Sequence, residues 1–111
     1  MLTPEPRWLS VHRHRVRGQP TAYLRILQHH LVSASTRIVA PLARSRERVP
    51  TLVAPRIVVG GEDYRALLLE MTSVPRRLIR EPVPDAEVDE DAVNTALDTI
   101  FRGYPVGLPL R

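Results

Sequence analysis

The sequence predicts a mainly β protein: a small barrel or curled antiparallel sheet followed by one C-terminal α-helix. Three observations carry that prediction. Short apolar runs with period-two spacing recur between turn signals. A Gly60-Gly61 pair sits between two of them, where a tight hairpin needs positive φ. One stretch near the end switches to helical spacing, with Val93, Ala96, Leu97, Ile100 and Phe101 on a single face.

The elements follow in order. Residues 1–7 hold two prolines and read as a flexible tail. Trp8 to Val16 alternates weakly and Thr21 to Leu27 alternates clearly; Arg17-Gly18-Gln19-Pro20 between them signals a turn, so the three form a hairpin. Residues 28–35 read as a loop. Thr36 to Leu42 is a strand that Pro41 should confine to an edge or terminate. Ala43 to Pro50 is charged and reads as a solvated connection. Thr51 to Val59 is the next strand, and Tyr64 to Met71 returns beside it with Leu67-Leu68-Leu69 buried. Val74-Pro75 should turn the chain, and Arg76 to Glu81 offers a short last strand.

Pro82-Val83-Pro84 interrupts the sheet pattern. Asp85 is an N-cap candidate, and Glu87, Asp89, Glu90 and Asp91 favour a helix start through the macrodipole. Arg102 suits the other end and Gly103 the C′ position, which predicts a helix over 86–102. The helix should cover an open face of the sheet.

Composition bounds the rest. A chain of 111 residues fits one domain with a modest core, which must be aliphatic, because there are one Phe, one Trp and three Tyr. The absence of cysteine excludes disulfides and Cys-ligated zinc. No apolar stretch approaches a membrane span. Met1 to Pro6 lacks the basic start and apolar segment of a signal peptide, so a soluble, cytoplasmic protein is expected. Formal charge is +4, and every basic residue is Arg. Residues 1–80 carry 14 Arg against 5 acids, and residues 81–111 carry 2 against 7. A basic body of this kind attracts nucleic acid or an acidic polypeptide, or is simply well solvated.

Candidate chemistry is sparse. His12 and His14 share a strand face, with His29 near the paired strand, a set that could hold zinc or move protons. An exposed polar face is the far commoner explanation, since no nearby acid orients a ring. Arg13, Arg15, Arg17 and Arg25 could grip phosphates, but few aromatics interleave with them, so direct nucleic-acid readout is not expected. Tyr64-Arg65 fits cross-strand packing with a surface charge. Glu70 either faces solvent or is paired inside. Phe101 fits a core or dimer contact. Ser35-Thr36 and Thr72-Ser73 lack a companion His for nucleophilic work. No metal site, cofactor or catalytic centre is expected.

The order of the pieces resembles the CcdB family of toxins. The matching residues are Arg37-Ile38-Val39-Ala40-Pro41-Leu42, then Pro55 ahead of Gly60, Glu62-Asp63-Tyr64-Arg65, and Met71-Thr72-Ser73-Val74-Pro75. The helix adds Val93, Ala96-Leu97, Ile100-Phe101 and Gly103, and spacing holds from about residue 36 to 104. The resemblance implies an SH3-like barrel with a terminal helix, spanning 8–104, and a symmetric homodimer. It implies a non-enzymatic toxin that binds the DNA gyrase A subunit and traps the enzyme on cleaved DNA. It also implies a cognate CcdA-like antitoxin that neutralises the toxin. The target-binding segment carried over is Ile100, Phe101, Arg102, Gly103 and Tyr104. The family closes on Trp-Gly-Ile, which Arg102, Gly103 and Tyr104 match at the glycine alone, and residues 105–111 run on as an extension. Two alternatives stand beside this reading: an endoribonuclease toxin on a similar barrel, as in the Kid and MazF type, and a non-toxic member that keeps only antitoxin binding.

Overall fold

The computed structural model describes residues 9–13, 23–27, 35–44 and 51–103. The tail at 1–7, Trp8, the 17–20 turn, residues 28–34 and 45–50, and the 105–111 extension lie outside the described residues. So do His14, His29, Arg15, Arg17 and Tyr104.

Seven short strands form one antiparallel sheet: β1 (Val11–Arg13), β2 (Tyr23–Ile26), β3 (Thr36–Arg44), β4 (Arg56–Val59), β5 (Glu62–Ala66), β6 (Thr72–Pro75) and β7 (Ala86–Val88). The order is β1-β2-β3-β5-β4-β7, with β6 also on β3. The sheet nearly closes on itself. His12 bridges Pro82, and Val83 N–H donates to Val11 O at 2.7 Å, so the segment leading into β7 meets β1. The expected barrel-like architecture is present, and α1 (Glu90–Arg102) follows it.

β3 organises the barrel. One of its edges pairs with β2, Ile26 opposite Val39 and Leu24 opposite Pro41. The other edge is shared: β6 lies along 36–39 and β5 along 42–44. Pro41 therefore sits inside a central strand, not at an edge or a terminus. Its carbonyl accepts from Leu67 N–H at 2.9 Å, at the point where β6 gives way to β5. The N–H that proline lacks falls at that changeover, where no full ladder is broken.

The same changeover explains other departures from the expected strands. β5 stops at Ala66, and a 3-10 turn over Leu68–Glu70 carries the chain to the β6 position. Strand alternation fails there: Leu68 is buried, whereas Leu69 is 66% exposed, so the leucine run is only partly inside. Thr51–Val53 is a second 3-10 turn, and the strand expected from Thr51 begins after Pro55. Val74-Pro75 belongs to β6 and is not a turn; Arg76–Leu78 forms a 3-10 turn in place of a strand. The Gly60-Gly61 hairpin is as expected, with φ of 58° and 81° and Val59 opposite Glu62.

The open edge of β6 is guarded. Arg76 N–H donates to Ser35 O at 3.0 Å, which sets the register so that Thr72 and Val74 face β3 while Ser73 and Pro75 face out. Pro75 offers no N–H, so an intruding strand finds a single outward donor, a common defence of sheet edges.

The helix starts later than the acidic run implies. Ala86-Glu87-Val88 is β7, paired with β4, and turns Ala86 and Val88 toward the core. Asp89, not Asp85, is the N-cap, its Oδ1 accepting from Ala92 N–H at 3.2 Å. Val93 and Ala96 are buried, and Leu97 and Ile100 pack on the barrel core of Val11, Ala40, Leu42, Ile57, Val59, Ala66 and Leu68. Ile26 and Val39 make a second, smaller cluster with Val74 and Ile79.

Among the described residues three polar or charged side chains are buried, two of them, His12 and Arg25, where a solvated face was the default reading. His12 is buried at the seam: its Nδ1–H donates to Arg80 O, and Ser10 Oγ lies 2.7 Å from Nε2. Burial pushes its pKa below the ordinary 6.5, against the opposing pull of the Arg80 and Glu81 carbonyls. The sign of the pH effect follows. Above 6.5 His12 is neutral in both folded and unfolded chains and contributes nothing. As pH falls below 6.5 the unfolded chain takes up the proton first, so stability declines until the folded value is passed. Urea midpoints measured from about pH 7.5 to about pH 5 should fall with pH. The part of that fall due to His12 should vanish in His12→Gln. An identical slope in that variant would rule out the seam histidine as its source.

Arg25 and Arg37 are also buried, on β2 and β3. Arg25 stood among hairpin arginines that could grip phosphates but were expected to be solvated; its guanidinium instead lies inside, with Nη1–H donating to Leu9 O at 2.9 Å.

Candidate functional site

The closing turn of α1 combines a fixed base with an open tip. Ile100 is half-buried against the barrel core. Phe101, the next residue round the helix, is 71% exposed. It therefore leaves the buried stripe on which helical spacing placed it, and it is not a core residue of the protomer. Arg102 is exposed, with its Nε 3.9 Å from Asp98 Oδ1, one turn back. A surface ion pair at this distance is worth little, so the guanidinium is available to a partner.

Gly103 ends the helix in the left-handed conformation, φ 79°, and its N–H donates to Thr99 O at 3.0 Å. Glycine adopts that backbone without strain. Among the described residues no atom beyond its chain neighbours lies within 4 Å of where a Cβ would stand, which leaves room for another chain beside its backbone. Ile100, Phe101, Arg102 and Gly103 are thus placed together on one helix end.

Among the described residues the large exposed hydrophobic ones are Ile38, Leu52, Leu69 and Phe101. Three of these four belong to α1 or to the two 3-10 turns on which α1 packs. Exposed apolar side chains concentrated on adjoining elements mark a macromolecular contact more than a solvated face.

The other candidates resolve differently. Among the described residues no group of three or more His, Asp or Glu is arranged to hold a metal ion. His12 spends both ring nitrogens on Arg80 and Ser10. Arg56 pairs with Asp63 through Nε at 2.8 Å, Arg44 lies 3.5 Å from Glu62, and the Arg44 guanidinium stands 6.0 Å over the Tyr64 ring. Arg44, Glu62 and Tyr64 lie on one face of the hairpin and Arg56 and Asp63 on the other, so its charges are paired across strands on both faces. Glu70 is exposed, so the solvent-facing alternative holds. Among the described residues no helix is long and apolar enough to cross a membrane.

Buried Arg25 and Arg37 escaped the sequence reading. A signal existed at Arg37, which period two places on the same side as Val39. For Arg25 burial pulls the pKa down to about 10, with Glu90 acting in the other direction. The side chain still carries its charge at neutral pH.

A comparison with known families gives one match. The family model described as CcdB protein covers residues 9–103, from the first described residue to the helix C-cap.

Proposed function

The chain belongs to the CcdB family, toxins of toxin–antitoxin modules of the gyrase-poisoning kind, and we propose that it binds the DNA gyrase A subunit through Ile100, Phe101, Arg102, Gly103 and Tyr104. The carrying observation is the helix end: an exposed aromatic ring and an open glycine on a turn whose base is clamped to the barrel. A pre-ordered tip of this kind loses little entropy on docking. Phe101 supplies the large flat apolar surface expected of a binding hot spot. Arg102, where the family pattern has Trp, offers charge and stacking in place of a second apolar face.

In this reading the toxin acts by occupancy. It holds gyrase on cleaved DNA and makes or breaks no bond itself. The functional unit is a homodimer. A cognate CcdA-like antitoxin, acidic and folding as it binds, neutralises the toxin by pairing with its Arg-rich body. The ribonuclease alternative has less support, because among the described residues His12 is committed to the seam and Arg25 is buried.

The direct test incubates purified protein with gyrase, ATP and supercoiled plasmid, then denatures the mixture. Linear DNA that accumulates with toxin concentration is the expected result. No linear product at saturating protein, from a folded sample, would assign the chain to the non-toxic alternative. RNA fragments at fixed sites in a parallel incubation would favour the ribonuclease.

A further inference from the structure

Arg25 carries an unmet binding capacity that the helix-end reading does not use. Its side chain is 0% exposed. One nitrogen, Nη1, donates to Leu9 O at 2.9 Å, while Nε and Nη2 are buried without a hydrogen-bond partner. These two nitrogens have a specific relation. They lie on the same edge of the guanidinium, where their N–H bonds run parallel and match the two oxygens of a carboxylate. The edge left empty is therefore the one built for bidentate recognition.

Burying such a group unpaired is costly, and native structures seldom leave it so without a reason. Glu90, in the first turn of α1, opposes it in charge and acts on Arg25 at a distance without forming an ion pair. A second irregularity falls at the same place. Leu9, whose carbonyl holds Nη1, has a left-handed backbone with φ 58°, and it is the non-glycine residue with positive φ among those described. Its N–H donates to Ile26 O at 2.7 Å, so it is fixed beside β2. Strained residues persist where their surroundings impose them, and they gather at ligand sites.

We propose that the Arg25 fork is a carboxylate-binding site, filled by one carboxylate that pairs with Nε and Nη2. Charge selects the ligand class. A monoanionic planar carboxylate neutralises one guanidinium, whereas a phosphate dianion would leave a net charge inside. The carboxylate has two possible sources: a free small acid, or an acidic side chain of a bound polypeptide. Because Leu9 and Arg25 join β1 to β2, filling the fork also tightens the N-terminal hairpin.

The test follows the Arg25 Nε–H resonance in the full-length protein, assigned by through-bond correlation to its own backbone. Sodium formate is titrated against sodium chloride at equal ionic strength, and a glutamate octapeptide is titrated separately. A saturable shift of Arg25 with formate, absent with chloride, establishes a free-carboxylate site. A shift with the peptide alone establishes the polypeptide source and equally supports the site. Formate should also raise the thermal midpoint of the wild type above the chloride control but not that of Arg25→Gln. If that variant does not fold, the wild-type resonance decides. The proposal is overturned if neither ligand moves Arg25, or if chloride moves it as much. It is also overturned if Glu5→Gln alone moves the resonance in ligand-free protein as far as saturating formate moves it in the wild type, since an internal carboxylate would then hold the fork.

Discussion

Leu68→Ala is expected to destabilise the protein by about 2–5 kcal/mol, whereas Leu69→Ala, one residue on, should change stability by no more than about 0.5 kcal/mol. The two leucines share a 3-10 turn and are identical in chemistry, so the contrast isolates burial. Leu68 is 0% exposed and packs with Val11, Ala40, Leu42, Ile57 and Ala96, which joins β1, β3, β4 and α1 in one cluster. Removing its branched end leaves a cavity among these side chains that a nearly closed barrel cannot easily collapse. A domain of this size has about 5–15 kcal/mol in all, so the loss is a large share of it. Urea unfolding should show a lower midpoint with unchanged slope for Leu68→Ala and a superimposable curve for Leu69→Ala. Equal losses in both would mean that the turn does not hold Leu68 inward.

The parts of the fold that were legible in the sequence are those in which a local rule acts alone. Gly60-Gly61 needed only the positive φ of a two-residue hairpin. Val93, Ala96, Leu97 and Ile100 needed only helical spacing. What escaped depends on partners far along the chain. Pro41 could enter a central strand because β6 and β5 change places opposite it, which no window around residue 41 records. Asp85 and Asp89 are equally good N-caps by chemistry; β4 decides between them by claiming Ala86–Val88 as a partner strand. Arg25 looked solvated because a buried guanidinium is rare and its acceptor, Leu9 O, lies 16 residues back. At the candidate site the cap at Gly103 was legible, but the exposure of Phe101 was not. Spacing places a residue round a helix without saying how far the barrel it packs on extends.

Phe101→Ala should weaken gyrase binding by about 30-fold or more, the cost of about 2 kcal/mol that marks a hot-spot aromatic. Linear DNA should then disappear at protein concentrations that saturate the wild type. Protomer stability should stay within about 0.5 kcal/mol, because a ring 71% exposed contributes little to the folded core. That separation distinguishes a contact residue from a packing residue. Ile100→Ala, one position back, should lose binding and stability together, since Ile100 packs on the core. Phe101→Trp keeps a large flat ring on the same two torsions and should retain cleavage. Sedimentation of Phe101→Ala at the assay concentration tells target binding from self-association. An intact dimer without cleavage assigns the ring to gyrase, and dissociated protomers assign it to the dimer. Full cleavage by an intact, folded Phe101→Ala dimer would move the gyrase contact away from the helix end altogether.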